Sequence, residues 1–133
     1  MEERISWEGA TRLDDSTEVA RAVLDERWIR GGVRPGAFLR RDRDEDGVTV
    51  TNPQACTSEQ LCNTFARCFG VLHIEVGKVR NLGLDVQATD PASHVCDHAS
   101  ITGLPYKSQD PGLAEFLAGQ LARLARLVWS PTT

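Results

Sequence analysis

The chain has 133 residues, 41% of them hydrophobic and 26% charged, with a formal net charge of −4. That length supports one domain with its own core, and the acidic balance excludes wholesale nucleic-acid binding while leaving room for a local basic patch. No apolar run approaches the roughly 20 residues that cross a bilayer, and the opening MEERISWEGATRLDDSTE lacks the apolar stretch of a secretory leader. A cytoplasmic location is expected, and with it four reduced cysteines, because intracellular domains of this size rarely carry disulfides.

Residues 1–15 are expected to form a flexible lead-in. Asp15-Ser16-Thr17-Glu18 has the spacing of a capping box, and Val19, Val23 and Leu24 follow at helical intervals. The pattern predicts a helix over about 16–27, stopped by Gly31-Gly32, with Trp28 and Ile29 opening a short strand. Pro35-Gly36 makes a turn, and Ala37 to Leu39 reads as a further short strand. Residues 40–46 are almost purely charged and close on the turn signal Asp46-Gly47. Val48-Thr49-Val50-Thr51 then alternates as a half-buried strand does.

A second capping box, Thr57-Ser58-Glu59-Gln60, predicts a helix with Leu61, Phe65, Cys68 and Phe69 on one face, ended by Gly70. On such a helix Cys62 and Cys68 diverge by about 240°. GVLHIEV follows as a strand, Gly77-Lys78 as a turn, and Leu82, Leu84 and Val86 alternate again. Asp110-Pro111 is an N-cap followed by a proline at the first helical position. Behind it Leu113, Phe116, Leu117, Leu121, Leu124 and Val128 form an apolar stripe, with Arg123 and Arg126 toward solvent. The expected fold class is α+β, a single domain over 1–133 with a mixed or antiparallel sheet covered by about three helices.

Residues 93–105, SHVCDHASITGLP, place His94, Cys96 and His98 at every second position. On a strand, neighbours two apart lie about 7 Å from one another and the outer pair about 13 Å, so the three cannot share one ion. Cys56, Cys62 and Cys68 lack a zinc spacing, and no metal site is expected. The plain reading is a polar strand face; the functional one assigns His98 to proton transfer, with His94 and His98 as binding residues. Arg27, Arg30, Arg34, Arg40, Arg41 and Arg43 offer guanidiniums for phosphate or carboxylate, though interleaved acids offset the later members. Arg30 and Arg34 have no adjacent acid and, with Arg40, complete the expected binding set. His73 and Glu75 share a strand face and are placed to pair. A glycine-rich phosphate loop, His-Glu-x-x-His and Gly-x-Ser-x-Gly are absent.

Residues 28–105 resemble a group of small uncharacterised bacterial proteins. The layout is carried here by Arg34-Pro35-Gly36-Ala37-Phe38, then Gly47-Val48-Thr49-Val50, then His94 through Pro105. A looser resemblance is to the ADP-ribosyltransferase fold, in which an early arginine or histidine strand precedes a Ser/Thr-bearing strand, a helix and a hairpin like GVLHIEV…LGLDV. That resemblance implies Arg30 with Thr49 or Thr51 at dinucleotide-gripping positions, and NAD as the cofactor. The late catalytic glutamate of that family has no counterpart; the corresponding strand offers Asp97, His98 and Ser100.

The leading functional expectation is a binding or accessory domain in a bacterial multi-component system. It would contact a protein partner, or a nucleotide or phosphate-bearing ligand, through Arg30, Arg34, Arg40, His94 and His98, with no cofactor and no membrane. The alternative is a nucleotide-transforming enzyme of ADP-ribosyltransferase type, with His98 as acid–base and Arg30 on phosphate.

Overall fold

The computed structural model describes residues 13–45, 47–88 and 98–131. Its strands are β1 (Glu18–Val23), β2 (Val48–Thr51), β3 (Gly70–Glu75), β4 (Asp85–Ala88), β5 (His98–Thr102) and β6 (Arg126–Trp129). They form one antiparallel sheet in the order β4-β5-β2-β1-β3-β6. Helices α1 (Ser58–Cys62), α2 (Val76–Arg80) and α3 (Pro111–Leu124) complete an α+β fold, with 3-10 turns at Glu26–Ile29 and Pro35–Phe38. No helix among the described residues is long and apolar enough to cross a membrane.

Local signals account for most of these elements. Thr57 accepts from the Gln60 amide while the Gln60 side chain accepts from the Thr57 amide, the expected capping box. Asp110 accepts from the Leu113 amide and Pro111 opens α3. At Gly47 the backbone has φ +122°, and a side chain there would collide with the Ile101 carbonyl of β5, so the turn into β2 requires glycine.

The predicted helix over 16–27 is instead β1. All six of its residues pair with β3, and Ala20 pairs with Thr51 of β2. A strand inside a sheet is covered on both faces, so Val19 and Val23 are buried on one side and Ala20 and Ala22 on the other. That double burial hides the two-residue alternation and mimics a helical pattern. Asp15 precedes a strand rather than a helix; its carboxylate pairs with Arg80 and its carbonyl accepts from the Gly77 amide. Of the lead-in expected to be flexible, residues 1–12 lie outside the described residues, whereas Leu13 is in the core. Trp28 and Ala37-Phe38, expected on short strands, lie in the 3-10 turns and pack into that core.

The main core joins Val19, Val23, Val48, Val50, Leu72, Ile74 and Ile101 of the sheet to Trp28, Phe38 and α3. The helix buries only part of the stripe the sequence predicts: Leu121 is in the core and Leu117 and Leu124 pack against it. Ala114, Ala118, Leu121 and Ala122 face the core, whereas Leu113 and Phe116 are 46% and 61% exposed. Alanine allows the helix axis to approach the Pro35–Phe38 turn closely, which a face of leucine and phenylalanine would prevent. The helix also ends at Leu124, and Val128 belongs to β6, where it is exposed. A smaller cluster on the opposite sheet face joins Ala20, Ala22 and Val71 to Leu61 and Cys56.

The cysteines depart from expectation as well. Cys62 and Cys68 form a disulfide with Cα atoms 5.4 Å apart, and Cys56 is disulfide-bonded too. The predicted divergence fails because α1 stops at Cys62, so the chain turns and returns Cys68 alongside it.

Candidate functional site

The site begins with an interruption in the sheet. β1 and β2 share one bridge, Ala20 opposite Thr51, whereas β1 pairs with β3 along its whole length. At this seam Arg21 leaves β1, its Nε donating to the Ala37 carbonyl and its Nη1 to the Thr49 carbonyl, each at 2.9 Å. The guanidinium lies 5.6 Å from the centre of the Trp28 ring, and Arg41 lies 5.1 Å from the same ring. Burial pulls the Arg21 guanidinium down to about 10, partly offset by the nearby Asp44 carboxylate. It therefore stays charged at neutral pH.

A cavity of about 290 Å³ opens along the seam. Ala20 and Ala22 form a low floor because their side chains are short, and Thr49, Thr51 and His98 stand beside them. The register explains the grouping: Thr51 is opposite both Ala20 of β1 and His98 of β5, and side chains of directly opposed residues share a face. Arg21, Trp28, Arg43 and Asp44 line a second side, while Leu61 and Phe65 close a third. Phe65 is 41% exposed, an aromatic ring left at the opening.

The same cross-strand row continues through His73 of β3 to Arg126 of β6. Here Glu18, not Glu75, is the partner of His73, with Nδ1 and Oε1 3.1 Å apart; in the register Glu75 stands opposite Glu18. Arg126 donates to both oxygens of Glu18 and holds its carboxyl below the ordinary value, and the contact with His73 acts in the same direction. Three strands are tied there.

Of the residues singled out from sequence, His98, Arg43, Thr49 and Thr51 line the cleft. Arg40 does not: its guanidinium donates to the carbonyls of Asp44, Glu45 and Leu104 and to the Tyr106 hydroxyl, and stacks 3.9 Å from the Tyr106 ring centre. These bonds tie the charged loop to the segment that follows β5. Arg34 is exposed, donates to the Arg30 carbonyl and does not line the cleft. Arg30 lies beside Glu26 in a neighbouring depression of about 240 Å³ with Arg27 and Arg67, and Leu24 borders both hollows. His94 and Cys96 lie outside the described residues.

Arg21 enters the cleft beside Arg43, although its sequence pattern predicts a helix there. Its signal was a charge inside the otherwise apolar VARAV, which as a strand points one guanidinium among buried neighbours. Arg21, Arg43, Asp44, Thr49, Thr51 and His98 thus line one concavity that carries two guanidiniums, one carboxylate, hydroxyls and an imidazole. Chemically, this set can hold an anion by charge-assisted hydrogen bonds and exchange a proton. No family model, curated protein or solved structure matches the chain.

Proposed function

We propose that this protein is a binding domain whose cleft takes a small anionic ligand with a planar ring, of the nucleotide class. The observation that carries the reading is the convergence of Arg21, Thr49, Thr51 and His98 with the exposed Phe65 around one 290 Å³ cavity. A volume near 300 Å³ suits one ring system rather than a protein loop. The adjoining depression past Leu24 holds Arg27 and Arg30 paired with Asp25 and Glu26, together with Arg67, and gives an elongated, phosphate-bearing ligand further guanidiniums to meet. This keeps a nucleotide-binding expectation but moves its centre from the Arg34 and Arg40 region to Arg21. A protein partner in a larger assembly remains compatible with it, because the cleft occupies one part of the surface.

The test is thermal unfolding with NAD, ADP, pyrophosphate and a short RNA. A ligand that binds the native state alone raises the midpoint, by an amount that grows with its concentration. Saturable stabilisation by NAD or ADP, absent in Arg21→Met, supports the reading; no shift with any of the four removes it.

A second reading is transfer chemistry of ADP-ribosyltransferase type on NAD. It is favoured by the arginine strand β1 preceding the threonine strand β2 and helix α1, with Arg21 in the role first given to Arg30 and His98 handling a proton. Release of nicotinamide on incubation with NAD separates turnover from binding. As for compartment, the disulfides at Cys56 and Cys62–Cys68 weigh against the expected cytoplasmic location and favour an oxidising environment.

A further inference from the structure

The third side of the cleft is built differently from the other two. Helix α1 is one short turn ending at Cys62, and residues 63–67 are all exposed before the chain regains the sheet at Gly70. Few contacts hold that segment. Thr64 Oγ1 donates to the Leu61 carbonyl at 2.7 Å, the Phe65 amide reaches the Cys62 carbonyl at 3.2 Å, and the Phe69 amide donates to the Val23 carbonyl at 2.8 Å. What closes the segment on itself is the Cys62–Cys68 disulfide, spanning a sequence separation of 6. At the middle of this small ring stands Phe65, on the cleft and 41% exposed.

A phenyl ring left in water forfeits the gain of burial, and the main core lies on the other face of the sheet from Leu61. Trp28 cannot serve as a free stacking surface, because it is buried with Arg21 and Arg41 against it. We infer that Phe65 is the stacking surface for the planar ring of the bound ligand, held in register with Arg21 by the Cys62–Cys68 disulfide. Its anionic part then meets Arg21, and ring affinity depends on the redox state of this pair. Reduction by a dithiol converts the disulfide to two thiols as the reductant closes its own disulfide; the segment is then held by short-range contacts alone, the bonds above together with Asn63 N–H to the Glu59 carbonyl, Thr64 N–H to the Leu61 carbonyl and Arg67 against the Phe69 ring, and Phe65 loses its fixed place. The inference rests on the proposed nucleotide cleft and adds which part of the ligand is recognised, by what, and under which control.

The experiment compares ADP with pyrophosphate, which carries charge but no ring, by calorimetric titration of the full chain. Phe65→Ala is expected to weaken ADP by about 5- to 150-fold, the range for losing one aromatic stack, and to leave pyrophosphate unchanged. Phe65→Tyr, which keeps a ring, restores ADP binding. The Cys62→Ala, Cys68→Ala double variant leaves Cys56 untouched and lowers ADP affinity by about tenfold or more within the same range. Unchanged ADP affinity in the folded double variant overturns the part given to the disulfide; if that variant fails to fold, the Cys62→Ser, Cys68→Ser pair takes its place, while the Phe65 variants decide the stacking, since an exposed side chain is removed at little cost to stability. Unchanged ADP affinity in Phe65→Ala, or equal losses for ADP and pyrophosphate, overturns the inference and leaves the cleft reading intact. Failure of the unmodified chain to bind either probe overturns both.

Discussion

Replacing Cys62 and Cys68 together by alanine tests the account of the α1–β3 connection through stability alone. A disulfide closing a loop of this span removes unfolded-state entropy worth about 2 kcal/mol at 25 °C, taking the sequence separation of 6 as the loop length. Cys62 is 5% exposed, so loss of its buried sulfur adds roughly 0.5–1 kcal/mol, on the scale of one methylene. The total of about 2–3 kcal/mol corresponds to a fall of about 6–12 °C in Tm for a domain of this size. Urea titration of the double variant and the oxidised parent, each followed by tryptophan fluorescence, measures the difference directly. A change below about 0.5 kcal/mol would refute the reasoning, because it would mean that the crosslink constrains nothing the unfolded chain explores. A matching loss on treating the parent with dithiothreitol is not required, since that also opens the Cys56 disulfide.

Gly47→Ala is expected to cost about 2–4 kcal/mol, combining strain at a left-handed position with the collision against the Ile101 carbonyl, and denaturant midpoints will show it. The alanine face of α3 predicts a contrast: Leu121→Ala, fully buried, should lose about 2–5 kcal/mol, and Phe116→Ala should stay within about 0.5 kcal/mol. Equal effects would restore the stripe read from the sequence. Glu18, its carboxyl lowered first by the Arg126 hydrogen bonds, contributes stability that is fully present above the unfolded carboxylate range near pH 4.5 and lost as pH falls through the folded value. Glu18→Gln should therefore flatten the stability profile below about pH 4.5, by no more than roughly 1 kcal/mol for a pair this exposed, as measured by urea unfolding from pH 3 to 7.

Much of the fold is legible because it is specified locally. The Thr57 and Asp110 caps, the alternation in β2 and β3 and the glycine before β2 depend on residues within a few positions of one another. The candidate site was only partly legible. His98 stands out by residue type and strand position, and Thr49 and Thr51 only through the looser family resemblance, but Arg21 does not, because a helix over Glu18–Val23 sends its side chain elsewhere. Arg40 looked like a ligand-binding group from its neighbours in sequence; its partners Leu104 and Tyr106 lie more than sixty positions away. The sequence pattern places Phe65 on one face of a helix, which the end of α1 at Cys62 abolishes.

By itself the sequence determined an α+β chain, the start of α1 and α3, and the strands β2 and β3, whose polar residues keep the two-residue alternation visible. Tertiary structure alone decided that β1 is a strand, which face of α3 is buried, that the cysteines pair, and that Arg21 meets His98 and Phe65 in one cleft. The physical reason is range. Caps, turns and alternation act through neighbouring dihedrals and side chains, whereas strand pairing, disulfide closure and the choice of buried face depend on segments brought together only when the chain has folded.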